Sequence, residues 1–204
     1  MTGRLAALAL VAVLAAACGS PIAQAAATPQ EVALQSGDLP SGMIVCGLSG
    51  DVDNFLKGAP SDNAYASDLQ QQWSVMKAQG AQQGYVRVFA GSKDQCTSAF
   101  TAQSLTGVKW AASMVVQFKT SRVAAKAYTQ AQAGAAEIAA APGAEVGSST
   151  GLGSNSLTFG DTSGSQSIFF GYWQGGRFLI VMLTLNVPES KSRQAARNVN
   201  SRIH

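Results

Sequence analysis

The chain has 204 residues, 47% of them hydrophobic and 12% charged, with 14 Lys and Arg against 11 Asp and Glu and a formal net charge of +3. That length accommodates one domain with a sizeable core. A balance so near neutral, without a basic cluster, argues against nucleic acid as a partner, and the neutral, polar surface it leaves suits an extracytoplasmic protein.

Arg4 is followed by Leu5 to Ala17, thirteen residues with neither charge nor polar side chain. A helix needs about 20 apolar residues to cross the hydrocarbon core, so this stretch reads as the h-region of a signal peptide and not as a permanent span. Two cleavage sites compete. Leu14-Ala15-Ala16-Ala17-Cys18 resembles a bacterial lipobox, with Ala15 where Leu is commoner; its cysteine would carry acyl groups of the palmitate class and become the mature N-terminus. Ala23-Gln24-Ala25 is a small-x-small site, at which ordinary signal peptidase would discard Cys18 and release a soluble, secreted protein. The h-region abuts Cys18 and not Ala25, which favours a lipoprotein of the bacterial cell envelope. Residues 1–17 are then the signal, 18–27 the lipidated cysteine and tether, and 28–204 one extracytoplasmic domain. Acyl chains worth about 0.8 kcal/mol per buried CH₂ would hold such a protein on the cell membrane.

Thr28-Pro29-Gln30-Glu31 predicts a capped helix start, and Gly37 and Pro40 its end. A short strand over Met43 to Cys46 follows, then a helical turn around Phe55 and Leu56 capped by Ser49-Gly50-Asp51. Between Asp62 and Gln79, Tyr65, Leu69, Trp73 and Met76 fall at helical spacing, with Gly80 at the left-handed C-terminal position. Tyr85 to Phe89 has strand composition. From 108 to 119, Val108, Trp110, Ala112, Met114, Val116 and Phe118 alternate with Lys109, Ser113, Gln117 and Lys119, which predicts a strand with one buried face. Thr120 caps a helix whose stripe of Val123, Ala127, Ala131, Ala135 and Ile138 predicts close packing, and Pro142-Gly143 stops it. Ile168 to Trp173 and Phe178 to Leu185 flank Gln174-Gly175-Gly176-Arg177. Two central glycines predict a type I′ turn, pairing Trp173 with Phe178, Phe170 with Val181 and Ile168 with Leu183. Both faces of this hairpin are apolar, which places it inside the sheet. A closing helix begins at Pro188 and uses Ala195, Ala196, Val199 and Ile203. Together these elements predict an α+β fold in a single domain: a central, mainly antiparallel β-sheet with helices on both faces.

With Cys18 assigned to lipid, Cys46 and Cys96 are the remaining thiols, and outside the cytoplasm such a pair becomes a disulfide bond. The pair lacks CxxC spacing and the one histidine, His204, ends the chain. No metal or other cofactor is therefore expected.

Asp38-Leu39-Pro40-Ser41-Gly42, Gly151-Leu152-Gly153-Ser154-Asn155-Ser156, the hairpin, and a last helix ending Arg202-Ile203 carry a resemblance. The chain resembles uncharacterised actinobacterial-type lipoproteins with a PsbP/Mog1-like α/β domain and, more loosely, the extracellular sensor domains of mycobacterial serine/threonine kinases. Ser154 stands where that group has Asp. The resemblance covers most of residues 28–204 and implies no catalytic residue.

Candidate chemistry is sparse. Asp51-Val52-Asp53-Asn54 offers oxygens to calcium but also a helix cap. Gly151 to Ser156 has backbone N–H groups for a phosphate, but it lacks Lys and leads into a strand, so a turn is the better reading. Nucleophilic catalysis lacks a base and a Gly-x-Ser-x-Gly elbow. Asp62, Asp68, Asp94, Glu137, Glu145 and Asp161 are the carboxylates from which a hydrolytic pair would come. Among the aromatic residues, Trp73, Trp110, Tyr172, Trp173 and Phe178 are candidates to line an apolar pocket. The expectation is a membrane-anchored, non-enzymatic binding or accessory domain for an apolar small molecule, a lipid or an envelope protein; the alternative is a secreted hydrolase using two carboxylates.

Overall fold

In the computed structural model, residues 27–58, 64–96, 107–132, 136–164 and 166–203 are described. The signal region, Cys18 and the alternative cleavage site at Ala23 to Ala25 lie outside them, as do Asp62, Ala135, His204 and the side chain of Tyr65. Among the described residues the helices are α1 (Pro29–Val32), α2 (Val52–Gly58), α3 (Ala64–Ala78), α4 (Ser121–Gln132), α5 (Ala136–Ala139) and α6 (Glu189–Ser201). The strands are β1 (Ile44–Val45), β2 (Gly50–Asp51), β3 (Ala81–Ala90), β4 (Trp110–Phe118), β5 (Glu145–Val146), β6 (Ser156–Ser163), β7 (Gln166–Gly175) and β8 (Phe178–Leu185). They form one eight-stranded sheet in the order β1-β3-β4-β8-β7-β6-β5, with β2 also on β3. Every pairing is antiparallel. No helix among the described residues is long and apolar enough to cross a membrane.

The fold is the expected α+β single domain, with a core on each face of the sheet. On the first face, Val52 and Phe55 of α2, Leu69 and Trp73 of α3, and Ala124 and Tyr128 of α4 pack on even-numbered residues of β4, from Trp110 to Phe118. On the second, Val32 of α1 and Ala195, Ala196 and Val199 of α6 pack on Ala111, Val115, Trp173, Ile180 and Met182. The close approach of α2 and α3 to β3 requires Gly84: a Cβ there would stand 2.8 Å from Val52 Cγ2 and 3.0 Å from the Trp73 ring.

Three local expectations are corrected. β4 is buried along its whole length and not on one face. Its two polar inward residues on the second face find partners, because Ser113 Oγ accepts from the Leu34 N–H at 3.0 Å and Gln117 Oε1 accepts from Arg177 Nε at 2.9 Å. The segment after α1 thus covers the face that sequence alternation assigns to solvent. The capping box of α1 is present, yet the helix stops at Val32 and not near Gly37. Its C-terminal carbonyls at Val32 and Ala33 instead accept hydrogen bonds from Arg202, which satisfies groups that a longer helix would have paired.

The hairpin register is displaced by two residues from the expected one. Gly175 pairs with Phe178, Trp173 with Ile180, Phe170 with Leu183 and Ile168 with Leu185. The loop is Gly176-Arg177, with a positive φ at Gly176 (51°) and none at Arg177, the sign pattern of a type II′ turn and not of I′. A shift of two keeps every side chain on its own face, so hydrophobic alternation does not distinguish the registers. The close approach of α6 favours the observed one: a Cβ on Gly175 would stand 2.5 Å from Ile203 Cδ1, so this glycine is used in the ladder beneath α6 and not in the turn.

The predicted disulfide is present. Cys46 and Cys96 are joined with a Cα–Cα distance of 5.4 Å, tying the end of β1 to the segment after β3.

Candidate ligand groove

Between α3 and α4, over β7 and β8, the first face of the sheet is incompletely covered. Phe170 and Tyr172 of β7 and Leu179 and Val181 of β8 form the floor of a groove of about 540 Å³. That volume lies within the roughly 300–1,000 Å³ of sites that hold a small molecule. The groove follows from the helix sequences. In α3, Leu69 and Trp73, with Met76 beside them, pack on the first-face core, while Gln72, Val75 and Met76, with Gln79 just past the helix end, are spaced i, i+3, i+4, i+7 and face the groove. In α4, Ala127 and Ala131 face it, and their side chains are too short to fill the gap. The small-residue stripe expected to bring α4 into close packing therefore does so at Ala127, which is buried, and leaves space at Ala131, which is exposed.

Tyr172 is the polar residue of the floor. Its ring stacks on Tyr128 with centroids 4.9 Å apart and planes 11° from parallel, and its hydroxyl donates to the Tyr128 carbonyl at 3.4 Å. Burial, and then the neighbouring Tyr128 phenol, raise its pKa well above the usual tyrosine value; burial raises that of Tyr128 too. Both phenols are held neutral, so neither offers a charge to a ligand.

The five aromatic candidates do not meet in one site. Tyr172 lines the groove. Trp73 and Trp110 lie buried in the core of the same face, Trp73 with its Nε1–H donated to Asp53 at 3.0 Å. Trp173 and Phe178 belong to the opposite core, Trp173 with no exposed surface. Adjacent residues of a strand point to opposite faces, so Tyr172 and Trp173 cannot share a pocket. Trp173 also sits deeper in the ladder than a position beside the turn would place it, owing to the shifted register. The glutamines at the groove's edge, Gln71, Gln72, Gln79 and Gln130, were not singled out by pattern, because polar residues on a helix usually mark a solvated face.

The remaining candidates are held in structural contacts or stand exposed. Asp53 receives Trp73 and also Lys77, at 3.4 Å, and the Trp73 hydrogen bond is the first cause of its lowered pKa. Among the described residues no group of three or more metal-ligating side chains is present. The Gly151 to Ser156 segment closes on itself: Gly151 takes φ +73° after a 3-10 turn, and the Ser156 hydroxyl sits 2.7 Å from that of Thr150 and within donating distance of the Gly153 carbonyl, at 2.6 Å, and the Gly147 carbonyl, at 2.9 Å. Of the acidic residues, Asp68, Asp94, Glu137 and Asp161 are exposed. Glu145 is bound by Arg193 at 2.7 Å, and the same guanidinium binds Glu189 at 2.7 Å, fastening α6 to the β5–β6 edge. Two of the motifs behind the family resemblance meet in space: Arg202 binds Asp38 at 2.6 Å, and Asn198 Nδ2 donates to the same carboxylate at 3.2 Å. No family model, curated protein or solved structure matches the chain.

Proposed function

We propose that the chain is an extracytoplasmic, lipid-anchored lipoprotein that acts as a non-enzymatic binding domain and shelters an apolar ligand in the groove between α3 and α4. The observation that carries the reading is the groove floor of Phe170, Tyr172, Leu179 and Val181, where α3 and α4 bury Tyr172 and Leu179 but leave Phe170 and Val181 only half-buried. Apolar area left uncovered on a sheet is costly in water, at about 25 cal/mol per Å², and a bound chain removes that cost. The N-terminal sequence supports the location: an h-region that ends at a lipobox-like Cys18 supplies export and an anchor.

Native mass spectrometry of protein extracted with its membrane tests the groove. Wild type should carry a co-purifying apolar molecule, and Ala131→Trp, which fills the groove from an exposed position, should lose it without a fall in melting temperature. Equal occupancy of wild type and variant would remove the groove from the reading. In the same preparations Cys18→Ser should abolish incorporation of labelled palmitate, and undiminished labelling would refute the anchor.

A further inference from the structure

Granting the groove as a ligand site, a reading on which this inference rests, its edge narrows the chemistry of what it takes. Gln71 and Gln72 of α3, Gln79 just after it and Gln130 of α4 border the apolar floor. None of these four side-chain amides has a protein partner among the described residues. Each offers two N–H donors and a carbonyl acceptor. A hydroxyl group also both gives and takes, so it can answer such amides in either sense. A carboxylate or phosphate accepts only, and an ammonium donates only; either leaves half of the amide capacity facing a group of the wrong kind.

Charge points the same way. Among the described residues no charged side chain lines the groove. Lys77 of α3 is turned away to Asp53 of α2 at 3.4 Å, and Tyr172 is held neutral by burial. An anionic or cationic head brought to this edge would give up part of its hydration with no counter-charge among the described lining residues. We infer that the ligand is a neutral amphiphile, with its apolar chain laid along the floor between α3 and α4 and an uncharged, hydroxyl-bearing head held by the glutamines.

Three probes with the same twelve-carbon chain test this by isothermal titration of the purified protein below their micelle concentrations: monolauroylglycerol, laurate and lauroylcholine. The glycerol ester should bind about tenfold or more tightly than either ion. In Gln72→Leu/Gln130→Leu, whose two positions are exposed, that preference should collapse to within about twofold while the melting temperature stays unchanged. Equal or tighter binding of laurate or lauroylcholine to wild type overturns the neutral head but leaves the groove as an apolar site. A preference that survives in the double variant also overturns it, because the glutamines would then not be its source. If no probe binds and Ala131→Trp changes nothing, both the neutral head and the groove fall.

Discussion

Asp38 and Arg202 show how single residues decide where the N-terminal segment lies. The Asp38 side chain is 5% exposed and the Arg202 side chain 24%. The carboxylate accepts from the guanidinium, from Asn198 Nδ2 and from the Gln35 N–H at 2.8 Å. The guanidinium in turn serves the Val32 and Ala33 carbonyls. A planar fork can reach a carboxylate and two backbone oxygens at once, which an ammonium does poorly. Removing one partner leaves the other desolvated, so Asp38→Ala should cost about 3 to 5 kcal/mol in urea unfolding. Arg202→Lys keeps the charge but not the fork and should fall between wild type and Asp38→Ala. A loss below about 0.5 kcal/mol for Asp38→Ala would show that water replaces this cluster readily. Both residues were visible in sequence as parts of separate motifs. Their meeting was not, because 164 positions separate them in the chain and nothing local to either points at the other.

At the scale of elements, the hairpin separates what periodicity can tell from what it cannot. Successive residues of β7 face opposite ways, so Phe170 and Trp173 lie on opposite faces of the sheet. Burial depth was not legible, since it depends on which helices lie above each face and on a register that alternation leaves free by two residues. Trp173, a candidate to line a pocket, is buried completely under α6, and Phe170 is the one left half-buried on the groove floor. Trp173→Ala should therefore destabilise by roughly 3 to 5 kcal/mol through lost burial and a cavity. Phe170→Ala should cost about 1 to 2 kcal/mol and should weaken binding of an apolar fluorescent probe, which can be read beside the melts. The reverse order of stability would mean that the groove is closed over Phe170 in solution. The wall of α3 is similarly half legible: Leu69, Trp73 and Met76 announce the packed stripe, and Met76 also reaches the groove, while the adjacent Gln72, Val75 and Gln79 carry no signal of it because a helix facing a groove and a helix facing water carry similar patterns.

For the molecule as a whole, the disulfide links stability to the groove. Cys46 and Cys96 are buried in the first-face core at 1% and 8% exposure, and the bridge closes 50 positions of chain that contain α2, α3 and β3. One wall of the groove is thus carried on a loop clamped at both ends. β1 itself offers little to hold that loop: it is two residues long, and its Ile44 and Val45 are 42% and 45% exposed. The opposite wall, α4, lies outside the closed loop and packs directly on β7 and β8. Cross-linking a loop of this length restricts the unfolded chain by about 4 kcal/mol in the entropic account. Reduction, or Cys46→Ser/Cys96→Ser, should lower unfolding free energy by up to that amount, measured by guanidinium titration with and without a phosphine reductant. Because the loss falls on the segment bearing α3, binding of an apolar probe should weaken before the sheet unfolds, as the denaturant concentration rises. In the oxidised protein the two transitions should coincide. Coincident transitions in the reduced protein as well would show that α3 is held by its packing on β3 through Leu69 and Trp73 and that the bridge acts on global stability alone.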